Sequence, residues 1–434
     1  MADLSGWLAA ARGTCDMRTA EIPWARSREW VFDGGRLRHR GGSFFSVVGA
    51  GLRVGGARRD RYDQPLIDQP EIGILGFLVR RGPDGHEILV QAKPEPGNPG
   101  FVQAAPTVQA TESNYRRRHG GDPTPYLSWF LPPGPVLASS LQSEQGTRFL
   151  GKYNRNAVVV APDGAAVAGG PDHAWFPATE VAARLLADFE VNTDARSVLA
   201  TGPWGLLAAD GRPFERWRGR GGLGETLLRS LEAGEDRCLL PDAQAVARLA
   251  RLRAAAEFET ERVDLRSLSW WEVTDTAIRP LQGDAFTVRQ FAVACARREV
   301  PRWDQPLVAS AREGRAALHC RDHGGVLHFL FRARPEIGFR ERLQLGPTVQ
   351  EPGDGFLDLP SVRDEGPALL STLHSEEGGR FFRCVNRYTI RLVEHDGPPD
   401  VVPLALGQVR RLIGRPGFFS NEARSLVSMM LAYA

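Results

Sequence analysis

The chain has 434 residues, too many for one ordinary hydrophobic core, so two or three domains are expected. Its 42% hydrophobic and 24% charged content is that of a soluble globular protein, and a net charge of +2 supplies no strong field for nucleic acid or a membrane surface. The longest apolar run, IGILGFLV at 72–79, suits a buried strand and is far too short for a helical membrane span.

In chain order, the N-terminal MADLSGWLAAARGTC lacks the basic and apolar regions of a secretory signal. The five cysteines (Cys15, Cys238, Cys295, Cys320, Cys384) are scattered without a CxxC, so a reduced cytoplasmic setting is expected and a zinc site is not. EIGILGFLVRR (71–81) and HEILVQAK (86–93) read as strands joined by the turn GPDG, and NAVVVAP (156–162) as another. ATEVAARLLADF (178–189) reads as a helix with Thr179 as N-cap and Val181, Leu185, Leu186 and Phe189 on one face. TDARSVLA (193–200) begins a second helix. PDAQAVARLARLRAAAEFETERV (241–263) reads as an amphipathic connecting helix and a candidate dimer contact. Strands followed by helices indicate an α+β fold.

The chain also matches itself. At an offset of 241, Trp30 meets Trp271, RYDQPLI (61–67) meets RWDQPLV (302–308), AKPE (92–95) meets ARPE (333–336), and PTVQ (106–109) meets PTVQ (347–350). The offset then becomes 232, and LQSEQGTRFLGKYNR (141–155) meets LHSEEGGRFFRCVNR (373–387). ARSVL (195–199) against ARSLV (423–427) closes each copy. The reading is a tandem duplication, with a first module over 1–205, a helical connector over 206–265 and a second module over 266–434.

The repeated blocks hold the candidate site residues. SEQGTRF offers Glu144 and Arg148, and SEEGGRF offers Glu376, Glu377 and Arg380. Each loop reads either as a salt-bridged turn or as a ligand loop. The pairs Asn154-Arg155 and Asn386-Arg387, the latter followed by Tyr388, add amides and guanidinium forks suited to a diphosphate. Trp30 and Trp303 are core residues or platforms for a planar base. The shared PTVQ, with Thr348 and Gln350 in its second copy, is expected to be a pocket wall. The tails differ: Thr111, Glu112, Ser113, Asn114 and Tyr115 follow the first PTVQ, and EPGDG follows the second. Of 54 basic side chains only Lys93 and Lys152 are lysines. Lys93 pairs with Arg334, so its place needs only a cation, whereas Lys152 pairs with Cys384. A lysine kept where arginine is the habit offers a tunable pKa. No GxGxxG follows a strand, and no GxxxxGK[ST] or GxSxG motif is present.

The blocks QPLIDQPEIGILGFLVRR, LVQAKPEPGN, PTVQATESNY and LQSEQGTRFL, with WDQPL, LGPTVQ and HSEEGGRF in the second half, resemble the NDP-hexose 2,3-dehydratases of deoxysugar biosynthesis over nearly the whole chain. The resemblance implies two Nudix-hydrolase-like modules without a Nudix box, a homodimer and dTDP-4-keto-6-deoxyglucose as substrate. It also implies no metal or nicotinamide cofactor, and an unstable product consumed by a downstream 3-ketoreductase. In such a reaction the C4 ketone acidifies C3–H, a base removes that proton, and the C2 hydroxyl leaves. Lys152 is expected beside the ketone with Tyr115 as proton donor. Glu144 is a further candidate there, and His374, Glu376 and Glu377 are the candidates in the second copy. One nucleotide-sugar pocket per copy is expected, only one of them catalytic. The alternative is a non-catalytic nucleotide-sugar binder on the same scaffold, and a third reading is a dTDP-sugar hydrolase.

Overall fold

The structure, a computed structural model, describes residues 3–55, 57–118, 120–132, 134–163, 165, 167–283, 285–352 and 359–434. Most of the EPGDG tail of the second PTVQ therefore lies outside the described residues. Among those described, no helix is long and apolar enough to cross a membrane.

The molecule is mixed α+β, mostly strands in several sheets. The continuous apolar run of Gly73–Gly82 makes it a strand covered on both faces, with seven consecutive buried residues. It is central in a seven-stranded sheet, parallel to Tyr153–Val160 and antiparallel to Gly85–Pro94. Val136–Ser143 and His173–Pro177 lie outside these, with the short strands Val102–Ala105 and Val108–Ala110 completing the sheet. The second half repeats this order. Gly314–His323 is parallel to Val385–Leu392 and antiparallel to Val326–Pro335, Ala368–Ser375 forms one edge, and Val401–Ala405 pairs with Val326–Pro335.

The ARSVL and ARSLV blocks are two buried helices, Thr193–Thr201 and Asn421–Met430, packed on each other between the halves. Arg196 and Arg424 are fully buried, and carbonyls accept their guanidinium protons: those of Val191 (3.0 Å) and Leu185 (2.8 Å) for Arg196, and that of Phe419 (2.7 Å) for Arg424. A buried guanidinium needs such acceptors, so these blocks are inter-half scaffold.

Two smaller sheets exchange strands. Arg18–Ile22, which leads into the first half, pairs with Phe286–Ala294 of the second. Phe258–Val263, which leads into the second half, pairs with Ser46–Val54 of the first. The tryptophans follow them across: the Trp30 indole donates to the Asp304 carbonyl (2.8 Å) and that of Trp271 to the Asp63 carbonyl (2.9 Å). Both rings sit in one shared core with Phe45, Phe286 and Phe381.

Two sequence expectations change. The helix expected over 178–189 is Ala178–Ala183 followed by a single 3-10 turn, Arg184–Leu186. It starts after Pro177, whose extended backbone takes the N-cap place expected for Thr179. The connector helix is Asp242–Ala255, and its expected end is the exchanged strand Phe258–Val263. Strand pairing with an open sheet edge overrides the helical reading there.

Candidate active site

The SExGxRF loops interlock the halves. The turn at 95–98 of the first half meets the second-half loop, with Gly97 N–H donating to the Gly378 carbonyl (2.9 Å) and Arg383 N–H to the Gly97 carbonyl (2.8 Å). The mirror contact joins Gly338 N–H to the Gly146 carbonyl (2.8 Å) and Gly151 N–H to the Gly338 carbonyl (2.7 Å). Each loop then reaches into the opposite half. Arg380 lies over the Phe45 ring (4.2 Å) and Arg148 over that of Phe286 (4.1 Å), in matching geometry.

The first half's sheet and the second half's loop enclose a cavity of ≈ 430 Å³, within the range of small-molecule sites. Trp30, His39, Phe44, Phe45 and Trp303 form its aromatic side. Lys93, Glu95, Glu144, Lys152, Asn154 and Asp194 form its polar side, and Arg298, Glu377 and Arg380 enter from the second half. Thr111, Asn114 and Gln109 line the wall between. Both lysines of the chain thus face one cavity.

Hydrogen bonds fix this polar side. Lys152 donates to the Glu71 carbonyl, and Lys93 donates to that of Gln109 at 2.9 Å. The Asn192 amide, which also caps helix Thr193–Thr201, donates to the Gln109 side chain (2.9 Å), and the Gln109 amide donates to Glu95 (3.0 Å). Glu144 accepts from Asn154 (2.7 Å) and Asn421 (3.0 Å). Burial lowers Lys152 to about 8 and also lowers Lys93. Burial, aided by the nearby Glu377 carboxylate, raises Glu95 to about 8. Burial likewise raises Glu144 and lifts Asp194 well above the usual carboxylate range. Groups tuned toward neutrality can both take and give protons at the pH of the cell.

Several sequence candidates lie elsewhere. Tyr115 packs against the apolar cluster around Phe130 and does not line the cavity, because the one-turn helix Glu112–Tyr115 turns it away. Glu112 pairs with Arg116 (2.7 Å), and Ser113 is bound to the Glu71 carboxylate (2.9 Å). Arg155 donates to the Phe130 carbonyl (2.7 Å), and Arg387 pairs on the surface with Glu313 (3.0 Å), so neither is free to clamp a diphosphate in the cavity. Thr348 is a buried strut accepting from His319 N–H (2.9 Å) and donating to the Leu330 carbonyl (2.6 Å). His374 is buried against Tyr388 (ring centroids 4.4 Å apart), lines neither cavity, and is held neutral by burial and by Arg196.

Among the described residues the two halves carry cavities of unequal size. The second-half cavity, lined by Arg148, Gln350, Glu376, Asn386 and Tyr388, holds only ≈ 60 Å³. There Cys384 replaces Lys152, and the Tyr388 ring stands where the first half has the shorter Asn156. The sequence assigns no site role to Glu95 or Asp194, although AKPE carries the one and the other directly precedes ARSVL, whereas Gln109 belongs to the PTVQ wall.

A cavity with tuned lysines and carboxyls beside an aromatic wall is the equipment of an acid–base enzyme acting on a polar, ring-bearing substrate. The sequence identifies the class: residues 1–201 and 242–430 match the NDP-hexose 2,3-dehydratase family, and the chain belongs to it. Among its relatives is the dTDP-4-dehydro-6-deoxy-alpha-D-glucopyranose 2,3-dehydratase of Saccharopolyspora spinosa, 36% identical over 98% of this chain and 90% of the relative. The enzyme of the same name from Streptomyces violaceoruber is 36% identical over 98% of this chain and 96% of its own. That of Amycolatopsis orientalis is 32% identical over 100% and 90%.

Proposed function

We propose that the protein removes water across C2–C3 of dTDP-4-keto-6-deoxyglucose, giving a 3,4-diketo-2,6-dideoxy sugar nucleotide. The observation that carries this reading at the site is the convergence of Lys152, Lys93 and buried carboxyls on one cavity, in a chain whose relatives are named for that reaction. The relatives, all named as dehydratases, do not favour a non-catalytic binder. Lys152 takes the C3 proton. The ammonium of Lys93 and the guanidinium of Arg380 supply positive charge for the enolate and the diphosphate. Trp303, half-exposed at the mouth, stacks the thymine.

The repeated strand order supports two copies of a Nudix-like module, the first over 1–205 and the second over 266–434, with their lead strands exchanged. The reading includes a cytoplasmic homodimer and a 3-ketoreductase that takes the product. The connector helix Asp242–Ala255 remains the candidate dimer contact, and the edge strand Val136–Ser143, with Val136, Leu137 and Leu141 exposed, is a second. No metal or nicotinamide is required. The test is to supply dTDP-4-keto-6-deoxyglucose with a 3-ketoreductase trap, before and after EDTA. Loss of water in both arms is expected; an untouched substrate overturns the function, and activity abolished by EDTA and restored by magnesium overturns the cofactor reading.

A further inference from the structure

Removing the C3 proton is half of the reaction; the C2 hydroxyl must also be protonated to leave. We propose that Glu95 and Glu377, one carboxyl from each half of the chain, act as a proton-sharing pair and are the general acid for that hydroxyl. This deepens the dehydratase reading and rests on it.

Both residues line the cavity, and their carboxyls meet within hydrogen-bonding reach. Their loops are tied together by the Gly97–Gly378 and Arg383–Gly97 hydrogen bonds. Glu95 is buried and held by the Gln109 amide at 3.0 Å and more weakly by that of Asn98 at 3.4 Å. Burial and a second carboxyl this close disfavour the charged form of Glu95, so Glu95 holds a proton near neutrality. The other charged groups near the pair are Lys93, Arg298, Glu144 and Asp194. Burial and the Glu377 charge raise Glu95 to about 8, in agreement with that geometry.

Glu144 and Asp194 are the competing acids. Glu144 is tied to the side chains of Asn154 and Asn421, and it has a carboxyl counterpart in Glu376 of the small cavity. Asp194 likewise has Glu422. Glu377 is instead matched by Gln145 in the repeat, so the equivalent place beside Glu336 cannot hold a carboxyl pair. Together with Lys152, which faces Cys384, Glu377 separates the large cavity from its small counterpart.

The protons balance. Lys152 takes the C3 proton and leaves an enolate. The acid of the pair gives its proton to the C2 oxygen, the C2–O bond breaks with its electrons on oxygen, and water departs as C2=C3 forms. The enol at C3 then returns its hydroxyl proton to the pair while Lys152 protonates C2, and both groups regain their starting states.

The experiment follows dehydration with the reductase trap, and solvent-deuterium entry at C3 of recovered substrate, for wild type and Glu377→Gln. Glutamine already occupies the matching place in the other loop, so this variant keeps the fold; Glu95→Gln is run beside it, and dTDP binding is checked by calorimetry. The expected result is dehydration slowed by about 10²–10⁴-fold with deuterium still entering C3. Dehydration within a few-fold of wild type, or exchange lost together with dehydration while dTDP still binds, overturns the proposal. An inactive wild-type protein would instead overturn the dehydratase reading itself.

Discussion

Lys152 owes its chemistry to its neighbours. Buried beneath the Glu71 carbonyl, it has lost enough hydration to release its proton near pH 8, which arginine cannot do. Lys152→Arg keeps the charge and Lys152→Met keeps the length, so both should lose turnover by about 10²–10⁴-fold, and C3 exchange with it. His374→Gln, assayed beside them, should turn over within a few-fold of wild type; a dead His374→Gln and active lysine variants would place the chemistry in the second half. The sequence exposed Lys152 because lysine is rare in this chain. At His374 an unperturbed pKa near neutrality says nothing of the strand position that buries the ring. Lys93 was legible as a cation and not as a cavity residue, since its partner Gln109 comes to it only through the sheet.

At the scale of elements, the SExGxRF loop is an interlock as well as a ligand loop. A Cβ on Gly97 would stand 1.6 Å from the Phe381 carbonyl oxygen, and one on Gly338 1.9 Å from that of Phe149. Backbone cannot yield that distance, so Gly97→Ala must separate the loops and move Glu377 and Arg380 out of the first cavity. We expect a loss of about 1–3 kcal/mol in urea unfolding with a larger fall in kcat/KM; a variant unchanged in both would show that the loops do not need the contact. The repeat made these loops visible in the sequence. Their crossing was not legible, because periodicity identifies a strand or turn and leaves its distant partner open. The lead strands RTAEI and ETERV show why: each is short and charged, with only its weak alternation to mark it, and pairing with the opposite half is fixed by the tertiary structure.

For the whole molecule, buried carboxyls set the pH dependence of stability. Glu376 is lifted from 4.5 to about 8, chiefly by burial and further by the Glu422 and Glu144 charges. Between those values the folded chain keeps a proton that the unfolded chain releases. The stability it contributes is therefore complete below about pH 4.5 and is lost as pH rises through about 8. Glu376→Gln should flatten that decline in a series of urea midpoints; an unchanged slope would mean that Glu376 is ionised when folded. The exchanged strands make a second whole-molecule claim. Severing the chain near Asp236, in an exposed turn, leaves each fragment with a strand the other requires. Neither fragment alone should be active, and co-expression should restore activity; an active first fragment would contradict the shared cavity.

The exchange also orders events during synthesis. The strand Ser46–Val54 emerges early, and the edge that Phe258–Val263 will cover stays open until about 200 more residues have left the ribosome, roughly 10–40 s at ordinary elongation rates. Arg18–Ile22 waits longer still for Phe286–Ala294. An uncovered edge is a template for pairing with other chains. Soluble yield from a foreign host should therefore depend on translation speed, temperature and chaperone supply more than the stability of the finished enzyme would suggest.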